Sequence, residues 1–276
     1  MSAASIVGCL RKMQVARDDP VSYVLPVGSE AVALNPLLGN RIGIRYAGTI
    51  HCVACGRSTA KSFNQGYCYP CFRRLASCDS CIMSPQRCHY HLGTCREPAW
   101  GEANCMRSHV VYLANSSGVK VGITRESQVP TRWIDQGAVQ ALPIARVASR
   151  RMSGLVEVII KEHVSDRTDW RRMLKGEPEA VDLHARREAL LERCDPELKS
   201  LADEHDRVGP EFIADARTSR FSYPVLEYPR KVTAINLEKT PQVEGTLLGI
   251  KGQYLILDAG VLNIRKYGGY EVALTI

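Results

Sequence analysis

Apolar and polar positions alternate near both ends of the chain and change rhythm in between. Val21 to Val27 and Arg41 to Tyr46 follow a period of two, punctuated by Pro20, Pro26 and Pro36, which predicts short strands and turns over residues 1–50. The same rhythm returns over residues 221–276, where Gly245, Gly249, Gly252, Gly260 and the pair Gly268-Gly269 mark turns at short intervals. That spacing predicts a C-terminal β-barrel-like or curled sheet, possibly OB-like, with the N-terminal strands available to complete it. Residues 110–163 read differently: a strand holding Tyr112, a polar turn at Asn115–Gly118, a strand from Val119 to Ile123, a helix from Pro130, a strand from Leu142 to Val147 and a helix from Ser153. Asp166 to Leu174 is expected to be helical. Residues 177–220 are charged and helix-favouring, with Pro196 and Pro210 expected to break them into pieces. The expected fold is α+β in five segments: 1–50 N-terminal β, 51–109 Cys-rich, 110–176 mixed β/α core, 177–220 helical connector and 221–276 C-terminal β.

Residues 51–109 hold too few large apolar side chains for a core of their own, so their order is expected to come from metal. Of the eleven cysteines, nine fall between Cys52 and Cys105. Cys52, Cys55, Cys68 and Cys71 form two C-x2-C knuckles twelve residues apart, the spacing of a tetrahedral four-thiolate site. Four thiolates leave no open position for a catalytic water, which makes a structural zinc the expected ion; iron or an iron–sulfur cluster is the alternative. A second structural zinc ion is expected at Cys78, Cys81, Cys88 and Cys95, with His91 or Cys105 as replacements, while His89 and His109 read as ordinary surface and strand-end residues.

Hydrophobic content of 45% and charged content of 24% are those of an ordinary globular chain, and no apolar run reaches membrane-span length. The N-terminus lacks a basic region followed by a long apolar one, so a cytoplasmic setting with free thiols is expected. The net charge of +7 is uneven: residues 51–176 carry +9, whereas the last hundred residues carry −4. A basic stretch attracts polyanions by counterion release, and Phe63, Tyr69, Phe72, Arg73, Arg74 and Trp100 interleave aromatic and basic groups within it.

The strand–turn–strand–helix–strand–helix order, with Val110-Val111-Tyr112, Lys120-Val121-Gly122, Arg132 and Glu157 at its key points, resembles the GIY-YIG nuclease domain. The whole chain also resembles an uncharacterised bacterial family with a Cys-rich zinc-binding segment ahead of this core. The nuclease resemblance implies catalytic roles for Tyr112, Arg132 and Glu157, with Glu157 as the ligand of a catalytic magnesium or manganese ion. Lys120 stands where the family has a second tyrosine, and would serve as a cation beside Tyr112 or as a phosphate holder. Two function classes follow. One is a metal-dependent endonuclease on DNA or RNA; the other is a non-catalytic zinc protein that binds nucleic acid on a degenerate nuclease platform. A redox or iron–sulfur role for the surplus cysteines is a third.

Overall fold

A computed structural model describes residues 5–205 and 209–276. The chain opens with β1 (Ser5–Cys9), β2 (Gln14–Ala16), β3 (Ser22–Val27), β4 (Glu30–Ala33) and β5 (Arg41–His51). The Cys-rich region follows, with β6 (Ser58–Thr59), helices α1 (Tyr69–Arg74) and α2 (Pro98–Asn104), and short 3-10 turns between them. Next come β7 (His109–Asn115), β8 (Val119–Arg125), α3 (Thr131–Asp135), β9 (Gln140–Val147), α4 (Arg150–Ile160), α5 (Trp170–Met173) and α6 (Leu183–Glu204). Short strands β10 (Glu211–Phe212) and β11 (Ser219–Arg220) lead to β12 (Gln242–Lys251), β13 (Tyr254–Leu257), β14 (Gly260–Asn263) and β15 (Tyr270–Thr275). Among the described residues the fold is mixed α/β with three sheets.

The largest sheet runs β1-β15-β5-β12-β13-β14, with β6 added on β5, and so joins strands from both ends of the chain. It is not the closed barrel expected of the C-terminal segment, since β1 and β14 end it without pairing to one another. The physical reason is that other elements fill the space a barrel would enclose. Tyr23 and Leu25 of β3 and Trp133 and Ile134 of α3 share one apolar core with Leu247, Ile250, Leu255, Leu262 and Val272 of the large sheet. At the β12–β13 turn, Gly252 has a left-handed φ of +60° that glycine tolerates, and a Cβ there would stand 3.0 Å from the carbonyl oxygen of Asp135 at the end of α3.

The second sheet, β10-β9-β7-β8 with β11 on β9, is wholly antiparallel. Alternation along β7 sends Val110, Tyr112 and Ala114 into the large core and Val111 and Leu113 into a second one with α4 and α6. Contrary to the break expected there, α6 runs through Pro196. A proline inside a helix costs about 3 kcal/mol, and here Leu190, Cys194, Leu198 and Leu201 form a buried stripe that offsets it. The supposed connector also contributes β10 and β11 to the edge of this sheet. No helix among the described residues is long and apolar enough to cross a membrane.

Candidate functional site

Tyr112 on β7 and Gly122 on β8 face each other across the antiparallel pair, and Lys120 lies two residues along on the same face of β8. Tyr112 is fully buried, its ring edge-on to Trp133 with centroids 5.7 Å apart. Its hydroxyl donates to Gln136 Oε1 at 3.1 Å. Trp133 and Ile134 anchor α3 in the core and leave Arg132 on its open side. Ser149 caps α4 by accepting from the Met152 amide at 3.2 Å, and Met152, Val156 and Ile160, four apart, bury that helix's inner face. Glu157 follows Val156 and borders the cleft.

Tyr112, Lys120, Arg132 and Glu157 thus line one cleft of about 460 Å³. The cleft has contributions from six basic side chains and three carboxylates, an excess of positive charge suited to a phosphate chain. Lys12, from the N-terminal segment, donates to Asp135 Oδ2 at 2.8 Å on its rim. Arg265 enters from the turn after β14 and donates from Nε to Gln65 Oε1 at 2.8 Å. The cleft continues into a cavity of about 320 Å³ that shares Lys120, Arg132 and Arg265 and adds Trp170 and Tyr254, whose rings stack 5.7 Å apart.

Burial and mutual charge set the acidities here. Burial raises the Tyr112 phenol above its ordinary value; Arg132 opposes the shift and Glu157 adds to it. Burial, then Arg132, pushes Lys120 down to about 8, against the pull of Glu157 and Asp166. Burial raises Glu157, the carboxylate of Asp166 raises it further, and Arg150, Lys120 and Lys161 act the other way. Asp166 is the partner that the sequence reading missed. It lies nine residues past Glu157, outside any helical or strand spacing, and only the path of the chain brings it to the cleft. Arg125, Arg150 and Arg265 were missed for the same reason.

The Cys-rich segment carries a second kind of site. The sulfurs of Cys52, Cys55, Cys68 and Cys71 all lie within 4.8 Å of one another, with Cys55 and Cys68 3.8 Å apart. Cys52 follows the end of β5, and Cys71 sits in α1, whose first turn holds Tyr69 and Pro70. The Cys68 amide points at Cys52 Sγ at 3.2 Å. Burial alone would raise Cys52, but the amides of Cys68, Cys55 and Ala54 outweigh it and bring the thiol to about 6. Burial, then the neighbouring thiols, pushes Cys71 up to about 12. Amide donors that favour thiolate, around sulfurs too crowded to ionise together, fit a bound cation: these four cysteines could hold a zinc ion.

Cys78, Cys81, Cys88 and Cys95 do not form a group with all sulfurs within 4.8 Å of one another. Burial raises the Cys78 thiol, with Asn64, Ser77 and then Arg96 opposing, and Ser77 Oγ lies 4.0 Å from its sulfur. The sulfur of Cys81 is instead within 4.8 Å of ligand atoms of Asp79 and His89. His89 bonds to Thr94 Oγ1 at 2.8 Å through Nδ1 and faces Asp79 at 3.5 Å through Nε2. His109 begins β7, its Nδ1 2.7 Å from the Arg107 carbonyl and its Nε2 buried without a partner. Burial pushes it down to about 4. His91 is exposed on a surface turn.

Fold and site together define a mixed α/β protein with a four-cysteine metal-type cluster and a basic cleft. Residues 39–272 match the family DUF2797, described as a protein of unknown function, and the chain belongs to that family. No curated protein and no solved structure matches it.

Proposed function

We propose that the basic cleft hydrolyses phosphodiester bonds in DNA or RNA with a divalent magnesium or manganese ion, and that the Cys52 cluster is a structural zinc site. The observation that carries this reading is the convergence of Tyr112, Lys120, Arg132 and Glu157, from two strands and two helices, on one cleft. These are the residues that resemble the GIY-YIG nucleases.

The donor set suits a hard divalent cation. Glu157 and Asp166 are close enough for one carboxylate to raise the other, and among the described residues Glu157 forms no ion pair. Magnesium keeps several waters and needs only one or two carboxylates. When bound, such an ion polarises the phosphate and stabilises charge on the leaving oxygen. Glu157 would hold it, with Asp166 beside it. Arg132 would hold non-bridging oxygens through charge-assisted bonds. The Tyr112 hydroxyl spends its proton on Gln136, so its lone pairs are free to orient a water. Lys120, near 8, is suited to take that water's proton at mildly alkaline pH.

One observation favours a second reading. Lys120 is 5% exposed and replaces a tyrosine of the nuclease motif; a platform that binds nucleic acid without cutting it would look the same. The test is to incubate chelator-free protein with single- and double-stranded DNA and RNA, with magnesium or manganese, beside Glu157→Ala. Metal-dependent cleavage that is lost in the variant is the expected result. Equal binding by both proteins with no cleavage on any substrate supports the binding platform instead.

A further inference from the structure

Four cysteines outside the Cys52 cluster come together on the flank of α4. Cys81 lies in the 3-10 turn Ser80–Ile82, and Cys88 directly follows the turn Pro85–Arg87. Cys95 and Cys105 flank α2. These pieces are clamped to one place. The Arg150 amide donates to the Cys105 carbonyl at 2.8 Å, and Arg150 Nη2 donates to the Ile82 carbonyl at 2.7 Å. Gly154 of α4 lets the Pro85–Gln86 backbone approach so closely that a Cβ would sit 2.5 Å from the Gln86 nitrogen. On α2, a Cβ at Gly101 would stand 3.3 Å from Cys95 Sγ, and the Gly101 carbonyl accepts from the Cys105 amide at 2.6 Å. Cys81 is within electrostatic reach of Cys88, Cys95 and Cys105, as Cys105 is of Cys88 and Cys95.

We propose that Cys81, Cys88, Cys95 and Cys105 hold a four-iron, four-sulfide cluster against the first turn of α4. Three observations separate this site from the first. The Cys52 set lies within 4.8 Å of one another, and among the described residues these four sulfurs do not form such a group. A single tetrahedral zinc, with its bonds near 2.3 Å, gathers sulfurs to about 3.8 Å, whereas a cubane with one thiolate on each iron holds them farther apart. The cluster and its four thiolates carry net negative charge, and Arg150, near Cys105 and Cys81, has its Nε buried without a hydrogen-bond partner. Finally, the competing trio of Asp79, Cys81 and His89 is already engaged, because Asp79 Oδ2 pairs with Arg96 Nε at 2.7 Å. An ion there would face the Arg96 guanidinium.

The cluster has a structural role. Ile82, Met83 and Pro85, between its first two ligands, line the cleft, as does Arg150. The cluster therefore fixes one wall of the cleft, and the assignment stands whether or not the cleft cuts nucleic acid.

The test is metal and sulfide analysis of the full chain purified without oxygen, then reconstituted with ferrous iron and sulfide. The expected result is about four iron and four sulfide per chain beside one zinc, with broad visible absorption that Mössbauer spectra assign to a cubane. Cys105→Ser and Cys95→Ser should each lose the iron and keep the zinc, Cys55→Ser should do the reverse, and Cys78→Ser should keep both. Two zinc ions and no iron in the wild-type chain would overturn the proposal. So would no iron after reconstitution, or iron that is lost in Cys78→Ser and kept in Cys105→Ser.

Discussion

A Cβ at position 122 would lie 2.7 Å from the hydroxyl oxygen of Tyr112 and 2.8 Å from the ring carbon that bears it. Gly122 is therefore the floor on which the phenol rests, and its missing side chain sets where that hydroxyl points. Gly122→Ala forces Tyr112 to move within a packed core, a change that costs about 1–3 kcal/mol. The expected result is a lower urea midpoint and, if the cleft is catalytic, a loss of rate like that of Tyr112→Phe. Tyr112→Phe itself should leave the unfolding free energy within about 1 kcal/mol of the wild-type value.

Asp166 tests the carboxylate pair apart from Glu157. It is 40% exposed at the side chain and makes only a loose 3.7 Å contact with Arg167, so Asp166→Asn should fold normally. The expected effect is a rise in the magnesium or manganese concentration that gives half-maximal cleavage, with the maximal rate changed less. Glu157→Gln should instead abolish the rate at every metal concentration.

Arg265 reaches the cleft from the turn after β14, away from Glu157's helix. If it contacts a phosphate, Arg265→Gln should weaken nucleic-acid binding evenly across sequences and reduce the slope of log affinity against log salt by about 1. An unchanged slope in a fluorescence-anisotropy titration would place Arg265 outside the interface.

For the Cys52 cluster, the chain is expected to copurify with zinc at this site, and Cys55→Ser to lose it. Cys55 is exposed, so the substitution itself disturbs little packing. The melting temperature should fall in Cys55→Ser, and added zinc should raise that of the wild-type chain after chelation but not that of the variant.

Lys251 gives a pH dependence with a definite sign. It is fully buried, donates to the Gly176 carbonyl at 2.9 Å and lies 5.0 Å from the Tyr228 ring centroid. Burial pushes its amine down to about 8, with Glu177 opposing. Below that pH both folded and unfolded chains carry the proton, and the fold bears the burden of a desolvated charge. Between about 8 and the ordinary lysine value the unfolded chain holds more protons, so stability rises with pH, by on the order of 3 kcal/mol at most. Unfolding of the wild-type chain and of Lys251→Met should be compared at pH 7 and pH 10. The wild type should gain relative to the variant at the higher pH.

Much of the middle of the chain was legible because local signals agree there. Strand patterns at β7 and β8 bracket a polar turn, and the paired C-x2-C knuckles announce one cluster of four cysteines, whereas α4 starts at Arg150 behind a Ser149 cap, three residues ahead of the Ser153 start that was expected. Other features depend on distant neighbours. Pro196 reads as a helix breaker until the buried stripe around it is seen. Asp166, Lys12 and Arg265 have no spacing that ties them to Glu157 and reach its cleft only through the path of the chain.

The last strand has a consequence for how the molecule is made. β15 lies between β1 and β5 and pairs with both. A ribosome therefore releases the entire cysteine region and the cleft before the first strand meets β15, its sheet neighbour among the described residues. The four cysteines of the Cys52 cluster can come together before the large sheet assembles, while that sheet waits for β15, a pairing of high contact order that forms slowly. A chain halted before Tyr270 would carry the complete Cys52–Cys71 segment beside an unpaired β1 and a bare edge on β5, the kind of exposed strand edge that invites association between chains.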